Sequence, residues 1–170
     1  VGAMFILAAF GVMYAHTGDF GFATAAALPE SAKLLVFVLA FIGFGSKAGV
    51  FPLHVWLPHA HPAAPSHISA VMSGVMIKTG IYGILRVYAM LDWHTATPGE
   101  IVLIAGMVSG ILGIIYALGQ HDLKRLLAYS SVENIGVILI GIGIGMIGVA
   151  ANKPVMAVLG FCGGLLHVLN

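Results

Sequence analysis

About six apolar runs, parted by short polar stretches, fill nearly the whole chain, and this succession leaves few options for its fold. A helix needs about 20 mostly apolar residues to cross a hydrocarbon core. The first run spans roughly Val1 to Ala15, a few residues short of that length. The second starts near Ser31 and reaches a break between Gly45 and Pro52. The third runs from about His67 to Met90, where Asp92-Trp93-His94 ends it. A turn-like Thr97-Pro98-Gly99 opens the fourth, which continues to Leu118. The fifth runs from Leu123 to Ala150, and Asn152-Lys153-Pro154 starts a sixth that reaches Asn170. Charged residues make up 8% of the chain, against roughly 25% in soluble domains. There is no strand-like alternation and no soluble domain. The expected fold is all-α: a polytopic transmembrane bundle of about six helices, one of them broken.

Other classes fall away quickly. A formal net charge of +1 offers nothing to nucleic acid. The single cysteine, Cys162, excludes an internal disulfide and reads as a small apolar residue. The chain opens directly on an apolar run and closes inside another, so residues 1–170 are expected to be an internal piece of a larger transmembrane domain. Lys and Arg fall on both sides of the expected membrane, so the positive-inside rule does not decide the orientation.

Ionisable residues inside apolar runs are the feature that points to function, because the bilayer makes them costly. Lys47 lies beside the Gly45–Pro52 break. At about 1.5 Å of rise per residue, Lys78 and Glu133 each fall roughly 16 Å into their helices and His167 roughly 18 Å. Four ionisable groups from four helices near mid-depth suggest a polar seam inside the bundle, parallel to the membrane plane. Bland readings compete with this one. Either lysine could pair with a carboxylate only to fix packing, Glu133 could stay protonated against a neighbouring backbone, and His167 could be a packing histidine. Lys33, Arg86 and Lys153 are near helix ends, where snorkelling to the interface is the better reading. Lys124 is intermediate, in a run with Asp122 and Arg125.

Two further patterns invite hypotheses. His54, His59, His61 and His67 sit in a proline-rich stretch with Pro52, Pro58, Pro62 and Pro65 and could offer imidazoles to a metal. The stiff prolines and the lack of Cys or carboxylate within the stretch argue against it, and no metal site is expected. Gly143, Gly145 and Gly148 match the spacing of a dinucleotide-binding loop. That match lies inside a membrane run, with no strand before it and no acidic residue about 20 positions later, so it is rejected.

The stretch FGSKAGVFPLHVWLPHAHPAAPSHISAVMSGVMIKTGIYGILR resembles the proton-pumping, antiporter-like membrane subunits shared by respiratory complex I, multisubunit sodium/proton antiporters and membrane-bound hydrogenases. HDLKRLLAYSSVENIGVILIG is similar to the second signature of that family. The resemblance covers essentially the whole chain. Within the family, PAAPSHISAVMSGVMIKTGIYG and SVENIG look most like the hydrogenase branch, that of hydrogenase-4 and formate hydrogenlyase. Complex I relatives usually carry a histidine where this chain has Glu133-Asn134.

The resemblance implies two inverted repeats of five helices with a lysine-bearing broken helix. It makes Lys47 the lysine of that helix, with its carboxylate partner outside this chain. Lys78 matches the central lysine, Lys124 the lysine of a DLKR motif, and His167 the first histidine of an H-x-x-x-H helix. It further implies a proton-translocating subunit of a hydrogenase or complex-I-like assembly in a bacterial or archaeal cytoplasmic membrane. Lys47, Lys78, Glu133, His167 and Lys124 would carry the proton. No cofactor is expected in this chain; its expected partners are other membrane subunits, a peripheral redox arm, lipid, and protons or sodium. The alternatives are a subunit of a sodium/proton antiporter without redox chemistry and, from another class, a quinone- or metal-binding redox subunit.

Overall fold

The computed structural model describes residues 2–93 and 95–169. Its helices are α1 (Gly2–Thr17), α2 (Glu30–Ala48), α3 (Leu57–Ala63), α4 (Ser66–Val71), α5 (Lys78–Leu91), α6 (Thr97–Leu118), α7 (Leu123–Ala150) and α8 (Pro154–Leu169). A 3-10 turn covers Ala25–Ala27, and a π-helical stretch at Met72–Met76 joins α4 to α5 in one run, Ser66–Leu91. No strand occurs among the described residues. Among the described residues, four helices are long and apolar enough to cross a membrane: Glu30–Ala48, Ser66–Leu91, Thr97–Leu118 and Leu123–Ala150. α1 and α8 are apolar but shorter. The bundle matches the expected class, with one addition. The short α3 forms inside the proline-rich stretch, because Pro58 stands at its first turn, where a missing N–H costs nothing.

α1, α2 and α5 pack together, as do α6, α7 and α8, and α3 lies against α7. Met13, Phe37, Ile81 and Ile84 fill the interior of the first group, and Val102, Ile135, Leu139 and Ile142 that of the second. Leu7, Tyr82, Ile104 and Ile111 cover outer faces and are exposed. Such an exterior suits lipid, but lipid supplies no hydrophobic drive between helices, so close van der Waals approach must hold them. Gly136 provides it on α7. A side chain there would begin 2.7 Å from the Gly106 carbonyl oxygen of α6. A side chain on Gly106 would in turn begin 2.8 Å from the Ile140 nitrogen, whereas one on Gly110 would meet open space. The rejected dinucleotide pattern has the same use. Gly143 admits the Leu103 backbone of α6, while Gly145 admits the Phe161 ring and Gly148 the Ala157 backbone of α8.

α2 ends earlier in the expected break than Pro52 and later than Gly45. Gly49, at φ +80°, terminates the helix in a left-handed turn that glycine adopts at little cost. Gly45 remains helical, and its carbonyl accepts from both Gly49 and Val50, the latter at 2.9 Å. The chain then turns through Pro52, and the Trp56 indole donates back to the Ser46 carbonyl at 2.8 Å.

Lys33 does not snorkel. It is buried, ion-paired with Glu30 at 3.1 Å, and donates to the Asp92 carbonyl at 3.0 Å. A cation at the C-terminal end of α5 meets the negative end of that helix dipole, which outweighs reaching for water.

Candidate functional site

The site begins with an irregularity in the helix that carries Lys78. Ile77 donates to the Met72 carbonyl, five residues back, at 3.1 Å. This π closure puts one extra residue into the turn, a device frequent at functional sites. Regular α geometry would put Ile77, four residues on, beneath Ser73. The extra residue brings Lys78 onto that face as well, and Ser73, Ile77 and Lys78 all line one cavity of about 320 Å3. Ser131 and Asn134 of α7 and His167 of α8 complete its polar lining.

His167 Nε2 lies 2.9 Å from Asn134 Oδ1. The Asn134 amide nitrogen donates to the Ser130 carbonyl at 2.8 Å, which leaves Oδ1 to face His167 as the acceptor. The imidazole therefore carries its proton on Nε2 and keeps Nδ1 free to accept. Lys78 Nζ donates to the Val168 carbonyl of the same helix. An ammonium and an imidazole thus share one half-enclosed polar space, fed by α5, α7 and α8.

A second cavity, of about 490 Å3, shares Ala70, Ser73, Ser131 and Asn134 with the first. It reaches to His61 of α3 and Lys124 of α7. His61 is buried, and its Nδ1 lies 2.5 Å from Ser69 Oγ. Its Nε2 lies 3.4 Å from Ser73 Oγ, which is 2.9 Å from Ser131 Oγ. Lys124 Nζ donates to the Ala64 carbonyl at 2.8 Å, where α3 gives way to α4, with the Pro62 carbonyl at 3.5 Å. The Asp122 carboxylate caps α7 by accepting the Lys124 backbone N–H at 2.9 Å. From Lys124 to Asn134 the seam descends α7 by roughly 15 Å. Its course is along α7, from the Lys124 end toward mid-span.

The residues singled out from the sequence divide accordingly. Lys78 and His167 line one cavity, and Lys124 lines the neighbouring one. Glu133 is half-buried, its backbone so near Gly113 of α6 that a side chain on that glycine would begin 2.7 Å from the Glu133 nitrogen, and it lines neither cavity. Asn134, one residue on, holds the position beside His167. Lys47 is exposed in the last turn of α2. The segment that carries it is nonetheless close in space to the Lys78 segment. A side chain on Gly80 would begin 2.9 Å from the Ala48 nitrogen, so the backbones following each lysine cross there.

The histidines of the proline-rich stretch part company. His59 and His67 are exposed, and His61 joins the serines. His54 is buried among the Phe51, Tyr116 and Tyr129 rings, with Nδ1 unpartnered among the described residues. Burial pushes both the His54 and the His61 imidazoles below their ordinary range. No three His, Cys, Asp or Glu side chains converge on a metal position among the described residues.

Sequence reasoning did not single out Ser69, Ser73, Ser131 and Asn134. A signal was present for the first two. Ser66, Ser69 and Ser73 recur at intervals of three and four, which puts hydroxyls on one face of an otherwise apolar helix.

Comparison with known proteins adds the following. The sequence profile of the family described as NADH:quinone oxidoreductase/Mrp antiporter, transmembrane, matches residues 1–169. Hydrogenase-4 component B of Escherichia coli (strain K12) is 49% identical over 99% of this chain, which spans 26% of that protein. Formate hydrogenlyase subunit 3 of the same organism is 42% identical over 79% of this chain, which spans 22% of its length. A chain in the structure of the Mrp complex from Dietzia sp. DQ12-45-1b superimposes with a TM-score of 0.77 at 26% identity, covering 98% of this chain and 33% of that one.

Proposed function

The chain belongs to the NADH:quinone oxidoreductase/Mrp antiporter transmembrane family, and on that footing we propose that it translocates protons as part of an antiporter-like subunit of a membrane-bound hydrogenase or complex-I-like assembly. The observation that carries this reading is the cavity that Lys78 and Asn134, from two apolar spans, share with His167 of the shorter apolar α8. An ionisable group inside a span is expensive to keep, and partnered groups facing a polar cavity are the form in which such residues serve proton relays.

The chemistry rests on a proton held and released in turn. Lowering the dielectric around an ammonium favours its neutral form, and an approaching carboxylate restores the charged one. Lys78 holds the proton at the centre of the cavity, and His167 takes it at Nδ1 while Nε2–H stays on Asn134. Lys47 faces away from this part of the chain, which suits pairing with a carboxylate from elsewhere in the protein. Lys124 flanks the path from α7, and Glu133 stands one residue from it on that helix, on the side of α6. Redox chemistry in partner subunits, a peripheral arm and neighbouring membrane subunits, drives the cycle. The protein is an integral membrane protein, and its proposed home is the cytoplasmic membrane of a bacterium or archaeon.

The test is proton uptake by vesicles carrying the assembled complex, with the electron-transfer reaction followed in parallel. Lys78→Met keeps packing volume and holds no proton; Lys78→Arg keeps charge and does not release one. Both are expected to assemble and to lose most transport. Substantial uptake with either substitution removes Lys78 from the path.

A further inference from the structure

We infer that His61 is the proton-exchanging residue at the outer end of the path, passing protons to the Lys78 cavity through Ser73 and Ser131. The inference rests on the reading that Lys78 handles protons, and it adds a route to it. Four contacts carry it: Ser69 Oγ to His61 Nδ1 at 2.5 Å, His61 Nε2 to Ser73 Oγ at 3.4 Å, Ser73 Oγ to Ser131 Oγ at 2.9 Å, and Ser131 Oγ to the Leu127 carbonyl at 3.0 Å.

With a neutral imidazole these contacts admit one consistent set of donors. A carbonyl only accepts, so the Ser131 hydroxyl donates to Leu127 and accepts from Ser73. The Ser73 hydroxyl is then spent on Ser131, so its oxygen accepts from His61 Nε2–H. His61 Nδ1 accepts from Ser69. The chain is a run of hydrogen bonds pointing the same way, from the cavity that opens at the exposed Ser66 and Leu123 toward the one that holds Lys78.

Transfer along it conserves protons. A proton arriving at Ser69 Oγ displaces the Ser69 proton onto Nδ1, and the Nε2 proton passes to Ser73. The Ser73 proton passes to Ser131, whose own proton turns away from the Leu127 carbonyl into the Lys78 cavity. One proton enters and one leaves, and the ring ends neutral with its proton on Nδ1. The Ser69 proton reaches Nδ1 before the Nε2 proton leaves, so an imidazolium stands between the two halves of the transfer. Hydroxyls hold no extra proton near neutral pH, so each half is concerted and His61 alone stores the charge. Among charged side chains, Lys124 lines the same outer cavity, fixed on the Ala64 carbonyl. The exposed His59 and His67 lie on the adjoining segments.

The experiment uses the full-length protein in its complex, reconstituted in vesicles, with proton uptake measured against electron transfer and assembly read from copurifying subunits. His61→Gln keeps hydrogen bonding and loses the stored proton. Ser73→Val and Ser73→Thr have the same shape and differ in one hydroxyl. His61→Gln and Ser73→Val are expected to lower proton uptake by about a hundredfold, the lower end of what a positioned proton-transfer group contributes. Ser73→Thr is expected to retain it. If neither Ser73 variant assembles, His61→Gln decides alone, and if His61→Gln fails, the Ser73 pair decides. Normal uptake in Lys78→Met overturns the underlying reading. A dead Lys78→Met with normal uptake in His61→Gln or Ser73→Val overturns the His61 route alone.

Discussion

His167 and Asn134 face each other across the α7–α8 contact, with imidazole Nε2 2.9 Å from the amide oxygen. The pair holds the ring in one tautomer and one orientation beside Lys78. A double-mutant cycle of Asn134→Leu and His167→Ala, read by thermal unfolding of the full-length protein in detergent, is expected to give a coupling of about 0.5–1.5 kcal/mol. Strict additivity would mean that the two side chains do not recognise each other.

Lys33 ties the start of α2 to the end of α5. Lys33→Met is expected to destabilise by about 2 kcal/mol, the scale of a hydrogen bond to a charged donor. Most of this belongs to the bond to the Asp92 carbonyl, since Glu30 is 47% exposed and its ion pair is screened. Proton uptake of the assembled complex should not change. An unaltered unfolding midpoint would show that the tie contributes nothing.

His54 gives stability a pH dependence of definite sign. Burial lowers its folded-state pKa below the ordinary 6.5, so below that pH the unfolded chain binds more protons than the folded one. Its contribution is complete above about pH 6.5 and is lost as pH falls through the folded value. His54→Phe removes the titration and keeps a ring against Tyr129. Melting temperatures from pH 8 to pH 5 should therefore fall less steeply in His54→Phe than in the parent. Parallel slopes would count against the burial argument.

Gly136 sets the spacing of α6 and α7. Gly136→Val has no room beside the Gly106 carbonyl and must push the helices apart, at a cost of about 1–3 kcal/mol or more. Gly110→Val, on the same interface but facing open space, should cost far less. Equal unfolding midpoints for the two variants would contradict this packing.

What could be read from the sequence was depth, and what could not was azimuth. Leu123 to Ala150 was legible end to end, because Asp122 caps the helix and Asn152-Lys153-Pro154 stops it. Counting residues along that helix puts Glu133 near mid-span, but one residue turns a helix by about 100°. That turn separates Glu133, against Gly113, from Asn134, in the cavity. The π turn was less legible still. No proline marks it, and only the Ser73-Gly74 pair hints at a yielding turn. Lys33 shows the limit of local reasoning. Its partner Glu30 is three residues away, but the carbonyl that draws it inward is 59 residues off.

The contact between Ser73 and Ser131 bears on which ion can travel. Their oxygens are 2.9 Å apart, the separation of two hydroxyls sharing a hydrogen and nothing larger. A metal cation must carry its oxygen shell with it or exchange that shell for fixed oxygens at every station. A proton needs only the next lone pair. If traffic to Lys78 passes this contact, a proton can move along the shared hydrogen bond, whereas a sodium ion would first have to part the two hydroxyls.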